Sequence, residues 1–566
     1  MPKRKVVSES DKAPKKKLKS ESTSTSKAFV SKLSFDGPEQ CIRSLIYPTK
    51  LEDFFAKYWE KEPLFVSRKD NDYFKGFPTK VKLEEIGKKE HLEWDKDLFL
   101  SQVDNGEEIL DAEGEATVHK IQKYLKEKLT IVFDKPHRFQ EELYHLLQLL
   151  EEYFGCLLYC SLEVHSENAY KRKPCYNGKE AFILQIEGKK RWCLYEPIQK
   201  LAFLDCEDLK QDEIGGVTHE FILEPGDLLY FPRGTVFQAH SLNDEVSGHI
   251  EIQLYEEHTW GHFMSNILDK AINEALKKDV AFREALPTNF LSYMEFGKKE
   301  ISNDDLMDDA TNQANGAPKA TVPKISKADL ENQELFKGNL QRLTSLVGQY
   351  LDPHWGADAF FGKDFITKRL APSQVLKEEQ SDKDETPPSD KSVVQMKHRN
   401  YMRITKYDPG EDWEDEHEED ENDENEQDEE SMEEEEDEEK MGNGKDESSV
   451  KAKSDSKKEK KRKSGGKDDK ENEEDLEKSF HSKPCIVLYH CLQNKIESDY
   501  EEMDSSEMET EGSKIEFPLH YRDALLILYR STAPVAVCNL PLTSEERVDL
   551  ATTLWCEGLL TIVEKS

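Results

Sequence analysis

A chain of 566 residues has room for two to four domains, and only 36% of its residues are hydrophobic, gathered in stretches between tracts that could bury no core. Its formal net charge of -39, from 79 Lys and Arg against 118 Asp and Glu, excludes duplex nucleic acid as the default partner of the whole chain. No apolar run reaches the roughly 18 residues of a membrane span, and the N-terminus has no apolar signal-peptide core. The ten cysteines include no CxxC pair, so a reducing compartment is expected, without a disulfide framework or zinc ribbon.

Residues 1–28 are rich in Lys, Ser and Thr, with Lys3-Arg4-Lys5 and Lys15-Lys16-Lys17 among them. They read as a nuclear localisation signal or as a solvating tail. Residues 29–130 mix short helices and strands. A helix is predicted over Leu51–Trp59, preceded by a capping-box pattern Thr49-x-x-Glu52, and a second over Arg138–Tyr153, with Leu143, Leu146, Leu147 and Leu150 on one side. From Gly155 onward the pattern changes to short strands: Leu157–Val164, Ala181–Ile186, Arg191–Tyr195, Glu220–Leu223, Asp227–Phe231 and His249–Leu254. Glu224-Pro225-Gly226-Asp227 has Pro and Gly where a type II turn wants them. Strands at this spacing favour a sandwich or barrel.

Residues 262–300 and 326–351 are helical by pattern, the second with Ser326 as N-cap and Phe336, Leu340, Leu343 and Val347 at helical spacing. Periodicity alone fits packing on the same chain and a subunit interface equally. Residues 408–482 are low-complexity: Glu411–Glu439 is nearly all Asp and Glu, and Lys457–Lys463 is basic. Such blocks repel themselves and stay disordered, serving as interaction tails for basic proteins or as solvated spacers. Beyond them Cys485–His490 reads as a strand, Leu519–Tyr529 as a helix, Thr543-x-x-Glu546 as a helix cap and Leu559–Val563 as a final strand. This unit suggests a winged helix that carries no basic face, so no direct DNA binding is expected. Tyr401–Lys406 reads as a strand whose natural partner is Ile486–His490, across the acidic tract.

Three stretches carry a family resemblance. Glu180–Tyr195 (EAFILQIEGKKRWCLY), Leu223–Gln238 (LEPGDLLYFPRGTVFQ) and Phe54–Leu64 with Trp59-Glu60-Lys61-Glu62-Pro63-Leu64 resemble the ribosomal oxygenases of the jumonji-C, 2-oxoglutarate/Fe(II) oxygenase class. Residues 516–530 resemble that family's C-terminal domain. The resemblance implies an α+β protein: a jumonji-C double-stranded β-helix (a cupin-like barrel), a helical dimerisation region and a C-terminal winged helix. The expected boundaries are a disordered basic tail 1–28, a jumonji-C domain 29–270 with its core at 135–267, a dimerisation region 271–395, a winged-helix domain 396–407 and 484–566, and a disordered insert 408–483. It also implies a nuclear, specifically nucleolar, homodimer acting on ribosomal proteins or histones as a histidyl hydroxylase or lysine demethylase.

The family holds Fe(II) with two His and one carboxylate, and 2-oxoglutarate chelates the metal. That set covers one face of the ion and leaves positions for cosubstrate and oxygen. The positions matching the ligands here are Cys175, Asn177 and Phe237. Phe has no donor atom, Asn is neutral, and Cys binds metal only as thiolate. No catalytic residue is assigned, the metal site is expected to be degenerate, and neither Fe(II) nor 2-oxoglutarate is expected to bind well. Lys190 matches the lysine that pairs with the far carboxylate of 2-oxoglutarate, the alternative being a solvent-facing strand lysine. Glu163 stands where the family has a tyrosine and would repel a dicarboxylate. His165-Ser166-Glu167, with His240, imitates a ligand motif at the wrong spacing and reads as surface or loop polar residues; His219, His249, His258 and His262 read as ordinary strand or helix residues. The expected function is client binding with catalysis lost or impaired. The alternatives are an active oxygenase with an unorthodox ligand set and an acidic chaperone for basic proteins.

Overall fold

The computed structural model describes residues 33–101, 114–127, 129–167, 173–206, 209–242, 245–254, 258–294, 326–373, 375, 386–408, 483–494 and 513–563. The basic tail and the low-complexity tract at 409–482 lie outside these residues. Ten strands build the first unit: β1 Leu64–Val66, β2 Leu98–Ser101, β3 Thr130–Asp134, β4 Leu158–His165, β5 Glu180–Glu187, β6 Lys190–Tyr195, β7 Val217–Leu223, β8 Leu228–Phe231, β9 Val236–Ser241 and β10 Ser247–Leu254. They form a seven-stranded sheet in the order β1-β8-β5-β10-β4-β3-β2 and a three-stranded sheet in the order β7-β6-β9, with every pairing antiparallel. A bridge between Cys175 and Phe237 extends the smaller sheet past β9. Two facing antiparallel sheets whose strands alternate between them make the double-stranded β-helix that the resemblance implies.

Period-two alternation decides what each sheet face does. On β4, Cys160, Leu162 and Val164 point to the outer face and join a core with the helices Pro38–Leu45 and Glu141–Phe154. Ser161, Glu163 and His165 point the other way, towards β6. On β5, Phe182 and Leu184 lie outward while Ala181 and Ile183 face the space between the sheets. That space has an apolar half: Ala181, Ile183, Trp192, Leu194, Leu229, Phe231, Phe237 and Ala239 pack there with Cys175. The ring centroids of Phe237 lie 5.1 Å from Phe231 and 5.7 Å from Trp192. The predicted turn at Glu224–Asp227 forms, with Gly226 at φ 92°; a Cβ there would meet the Asp70 carbonyl oxygen at 2.1 Å, so only glycine fits.

The segment carrying Trp59 lies against the outer face of the large sheet, its indole stacked on Tyr230 at 5.6 Å. The capping box expected at Thr49-x-x-Glu52 does not form. The helix there starts from Lys50, one residue later than the pattern implies, and a lysine side chain has no acceptor with which to cap; the Glu52 carboxylate pairs instead with Arg43 at 2.9 Å. The helix is α-helical only over Leu51–Asp53 and widens to a π-helical turn over Phe54–Tyr58. Strand β9 was not expected, since Val236–Ser241 shows little of the turn-bounded alternation that marks its neighbours. The long helices Trp260–Lys278 and Lys327–Val347 follow the barrel, the second capped by Ser326 as its pattern predicts. No helix among the described residues is long and apolar enough to cross a membrane.

The C-terminal part has its own core, built from β11 Val393–Met396, β12 Met402–Tyr407, β13 Cys485–His490, β14 Lys514–Pro518, β15 Val535–Ala536, β16 Leu560–Ile562 and the helices Arg522–Arg530 and Ser544–Cys556. Its sheets run β12-β13-β14 and β15-β11-β16. Thr543 and Glu546 form the full capping box that the sequence predicts. The buried Glu151 carboxylate accepts the Leu370 N–H at 2.8 Å and ties the barrel's Glu141–Phe154 helix to the segment leading into this part. Burial pushes the Glu151 carboxyl up to about 7, against the Arg369 guanidinium and two backbone N–H donors.

Strands β12 and β13 pair in register from Met402↔His490 to Tyr407↔Cys485, as the sequence predicts across the acidic tract. Replacing residues 409–482 with a short Gly/Ser linker should therefore leave the melting temperature nearly unchanged; loss of cooperative unfolding would show that the tract is structural. Phe237→Ala should cost about 3–5 kcal/mol in urea unfolding, because it opens a cavity between Trp192 and Phe231. A cost under about 1 kcal/mol would mean that the sheets close over the gap.

Candidate functional site

The fold brings Cys175 and Phe237, the residues in two of the three iron-ligand places, face to face. Their backbones exchange two hydrogen bonds, Cys175 N–H to Phe237 O at 3.2 Å and Phe237 N–H to Cys175 O at 2.8 Å. Cys175 and the Phe237 ring are buried among Trp192, Leu194, Phe231 and Ala239. Asn177 donates from Nδ2 to Glu251 Oε1 at 2.9 Å, and its carbonyl accepts the Gly234 N–H at 2.8 Å. Residues of the family pattern thus converge in space, but the donor set does not fit Fe(II): one side chain is a hydrocarbon, one a neutral amide, one a thiol in an apolar wall.

The polar half of the interior lies along β4, β10 and β6. Glu163 and His165 share a face of β4. His249 sits directly opposite Glu163 in the β10–β4 ladder. Lys190, 1% exposed, reaches across from the other sheet. Its Nζ lies 2.5 Å from His165 Nε2, 3.3 Å from His249 Nδ1 and 3.5 Å from Glu163 Oε2. His165 Nε2 is 3.0 Å from Glu163 Oε2, and His165 Nδ1 is 2.9 Å from Thr130 Oγ1. Burial alone would push the Glu163 carboxyl up; the Lys190 ammonium, His249 and the His165 hydrogen bond outweigh it and hold the carboxyl well below the usual range. Trp192 closes the cluster, edge-on to His249 at 5.4 Å and with its ring 4.9 Å from Lys190 Nζ.

Two sequence expectations change here, and one of two readings of Lys190 is decided. Lys190 is buried in the interior and is not a solvent-facing strand lysine; the carboxylate beside it is the chain's own Glu163. His165 is not a surface residue: it is buried, because β4 continues to position 165 and the alternation turns it inward. The motif it belonged to does fall apart, since Glu167 is exposed and His240 joins no group with it. His249 is not an ordinary strand residue but a fully buried member of the cluster. The missed signal was on β10, where His249, Glu251 and Gln253 alternate with Ile250, Ile252 and Leu254. A polar face with period two, on a strand covered on both sides, marks a polar interior. Glu163, His165 and His249 are also the one group of three or more His, Cys, Asp or Glu among the described residues whose ligand atoms lie within 4.8 Å of one another.

A second buried charge cluster lies on the outer face of the large sheet. Glu180 accepts from Tyr230 Oη and, at 3.0 Å, from Arg233, which also reaches Glu60 at 2.8 Å. Burial pushes the Glu180 carboxyl up to about 7 despite these partners. This cluster fixes the Trp59-Glu60 segment to the sheet and faces away from the interior.

Comparison with known proteins agrees with this architecture. The JmjC domain family matches residues 133–259. Ribosomal oxygenase 2 of Rattus norvegicus is 26% identical over 562 residues, covering 98% of this chain and 97% of that protein. Ribosomal oxygenase 2 of Mus musculus is 34% identical over 287 residues, covering 50% of this chain and 61% of its own length. The bifunctional lysine-specific demethylase and histidyl-hydroxylase NO66 of Aedes aegypti is 30% identical over 289 residues, covering 50% of this chain and 45% of that protein. Among solved structures, the Escherichia coli ribosomal oxygenase YcfD with cobalt and 2-oxoglutarate aligns over 91% of this chain and 99% of its own at 12% identity, with a TM-score of 0.33. Residues 133–259 are a JmjC domain, and the proteins this chain is similar to are ribosomal oxygenases.

Proposed function

We propose that this chain is a ribosomal-oxygenase-like protein that binds basic clients, ribosomal proteins or histone tails, in the nucleus and nucleolus without hydroxylating them. The observation that carries this reading is Phe237, a hydrocarbon packed on Trp192 and Phe231 where the family places an iron ligand. The cosubstrate position supports it, because Lys190 is paired with Glu163 and is not left to receive a dicarboxylate. A net charge of -39 suits basic partners and speeds their encounter. The alternative is an active Fe(II)/2-oxoglutarate hydroxylase or demethylase with an unorthodox ligand set, and the convergence of Glu163, His165 and His249 is what favours it.

One experiment separates these readings. Given ribosomal-protein and histone-tail peptides with Fe(II) and 2-oxoglutarate, the full chain should bind peptide with an affinity that falls as salt rises, and should form no succinate. Peptide-dependent succinate would overturn the non-catalytic reading; no peptide binding at low salt would overturn the client reading. In the combined variant Cys175→His, Asn177→Asp, Phe237→His, anaerobic calorimetry with Mn(II) should show one equivalent of metal bound beyond any that the wild-type chain takes up.

We also propose that the chain is a homodimer through the helices after the barrel. Trp260 is 83% exposed, Leu291 75%, Leu335 69% and Leu340 56%, an apolar surface unusual for a monomer. Light scattering at micromolar concentration should give twice the mass of 65.5 kDa, and Leu335→Glu with Leu340→Glu should halve it. A wild-type mass of one chain would refute the dimer.

A further inference from the structure

The interior cluster combines features of a metal centre with an occupant that is not a metal. Lys190 Nζ can only donate hydrogen bonds. The atoms facing it, His165 Nε2 at 2.5 Å and His249 Nδ1 at 3.3 Å, accept from it in the tautomers that carry the proton on the far ring nitrogen. In those tautomers His165 Nδ1–H faces Thr130 Oγ1, 2.9 Å away, and His249 Nε2–H faces Glu163 Oε2 at 3.6 Å. In its other tautomer His165 Nε2–H donates to Glu163 Oε2 at 3.0 Å, so His165 is shared between the lysine and the carboxylate. The Glu163 carboxylate, 3.5 Å from Nζ, supplies the third acceptor. Two imidazoles and one carboxylate thus surround a single cation, and His165 has a partner for its far nitrogen in Thr130, as metal-bound histidines do.

We propose that Glu163, His165 and His249 form a site for a borderline divalent transition metal, Zn(II) or Co(II), whose resident cation is the Lys190 ammonium. Lysine and metal compete for the same three side chains, and the metal enters when the lysine swings out. The site uses neither Cys175, Asn177 nor Phe237, so it stands whether or not the chain is catalytic. Its donors are nitrogen and oxygen, which suits Zn(II) and Co(II) and disfavours soft monovalent ions. Both histidines are buried, and the lysine sits among their ring nitrogens, so it is the group a metal must displace.

The test titrates the full chain with Co(II) under anaerobic conditions, reading its visible ligand-field absorption, and compares wild type with Lys190→Met and with Lys190→Met/His249→Ala. Lys190→Met should take up one equivalent, with an affinity on the order of tenfold or more above wild type; the added loss of His249 should weaken binding by a similar factor. No stoichiometric uptake by Lys190→Met overturns the site. Equal affinity of wild type and Lys190→Met overturns the competition, and equal affinity with and without His249 places the metal elsewhere. If Lys190→Met does not fold because Glu163 has lost its partner, refolding with and without Zn(II) carries the test. Recovery of the native near-ultraviolet signal only with Zn(II) supports the proposal, and failure to recover with Zn(II) overturns it.

Discussion

A charge placed between two β-sheets must find its counter-charge in the same layer, and much of this barrel is arranged by that requirement. Lys190 enters the interior from the smaller sheet with 1% of its surface exposed. Taken out of water alone, an ammonium would cost several kcal/mol. Glu163 from the large sheet offsets that cost, and His165 and His249 take the remaining N–H groups. The pair also ties the two sheets together across the barrel, which no hydrogen-bond ladder does. With the lysine and the carboxylate paired, the other half of the interior is apolar, and Trp192, Phe231 and Phe237 fill it.

The two halves of the interior are linked chemically. An open metal site needs water, an uncovered carboxylate and room for a cosubstrate. Removing one ligand leaves the others as buried polar groups with lost partners, which is costly. Here the whole set is changed together. Cys175 and Phe237 are compatible with an apolar wall, and Asn177 finds Glu251. Glu163 gives Lys190 a carboxylate belonging to the chain, where the family's lysine would meet one arriving with 2-oxoglutarate. These residues are mutually consistent as packing: each polar one has a partner and each apolar one lies in the apolar wall.

Much of this was legible in the sequence because the features are local. Alternation located β4, β5, β6, β8 and β10; Pro225-Gly226 located the turn; Thr543-x-x-Glu546 located a cap. The pairing of β12 with β13 was readable from one orphan strand on each side of a charged tract. The places that the resemblance gives to ligands rest on their offset to Glu180 and to Phe231-Pro232-Arg233-Gly234-Thr235. What escaped was non-local. That His165 and His249 share a site depends on the register of two strands more than 80 positions apart in the chain, which no short motif records. The expected cap at Thr49 failed because the helix starts one residue later, from Lys50, which no local pattern marks.

The ladder between Tyr407 and Cys485 has a consequence for how this chain can change over generations. The chain leaves the described fold after β12 and re-enters it at β13, neighbouring strands of one sheet, so the loop-closure part of the cost of the intervening length is only about 0.6 kcal/mol for each doubling. On that count insertions and deletions between the two strands cost the fold little. Selection on the composition of that stretch can then answer to solubility and encounter, and relatives that share this barrel can differ widely there while keeping the same strands on either side.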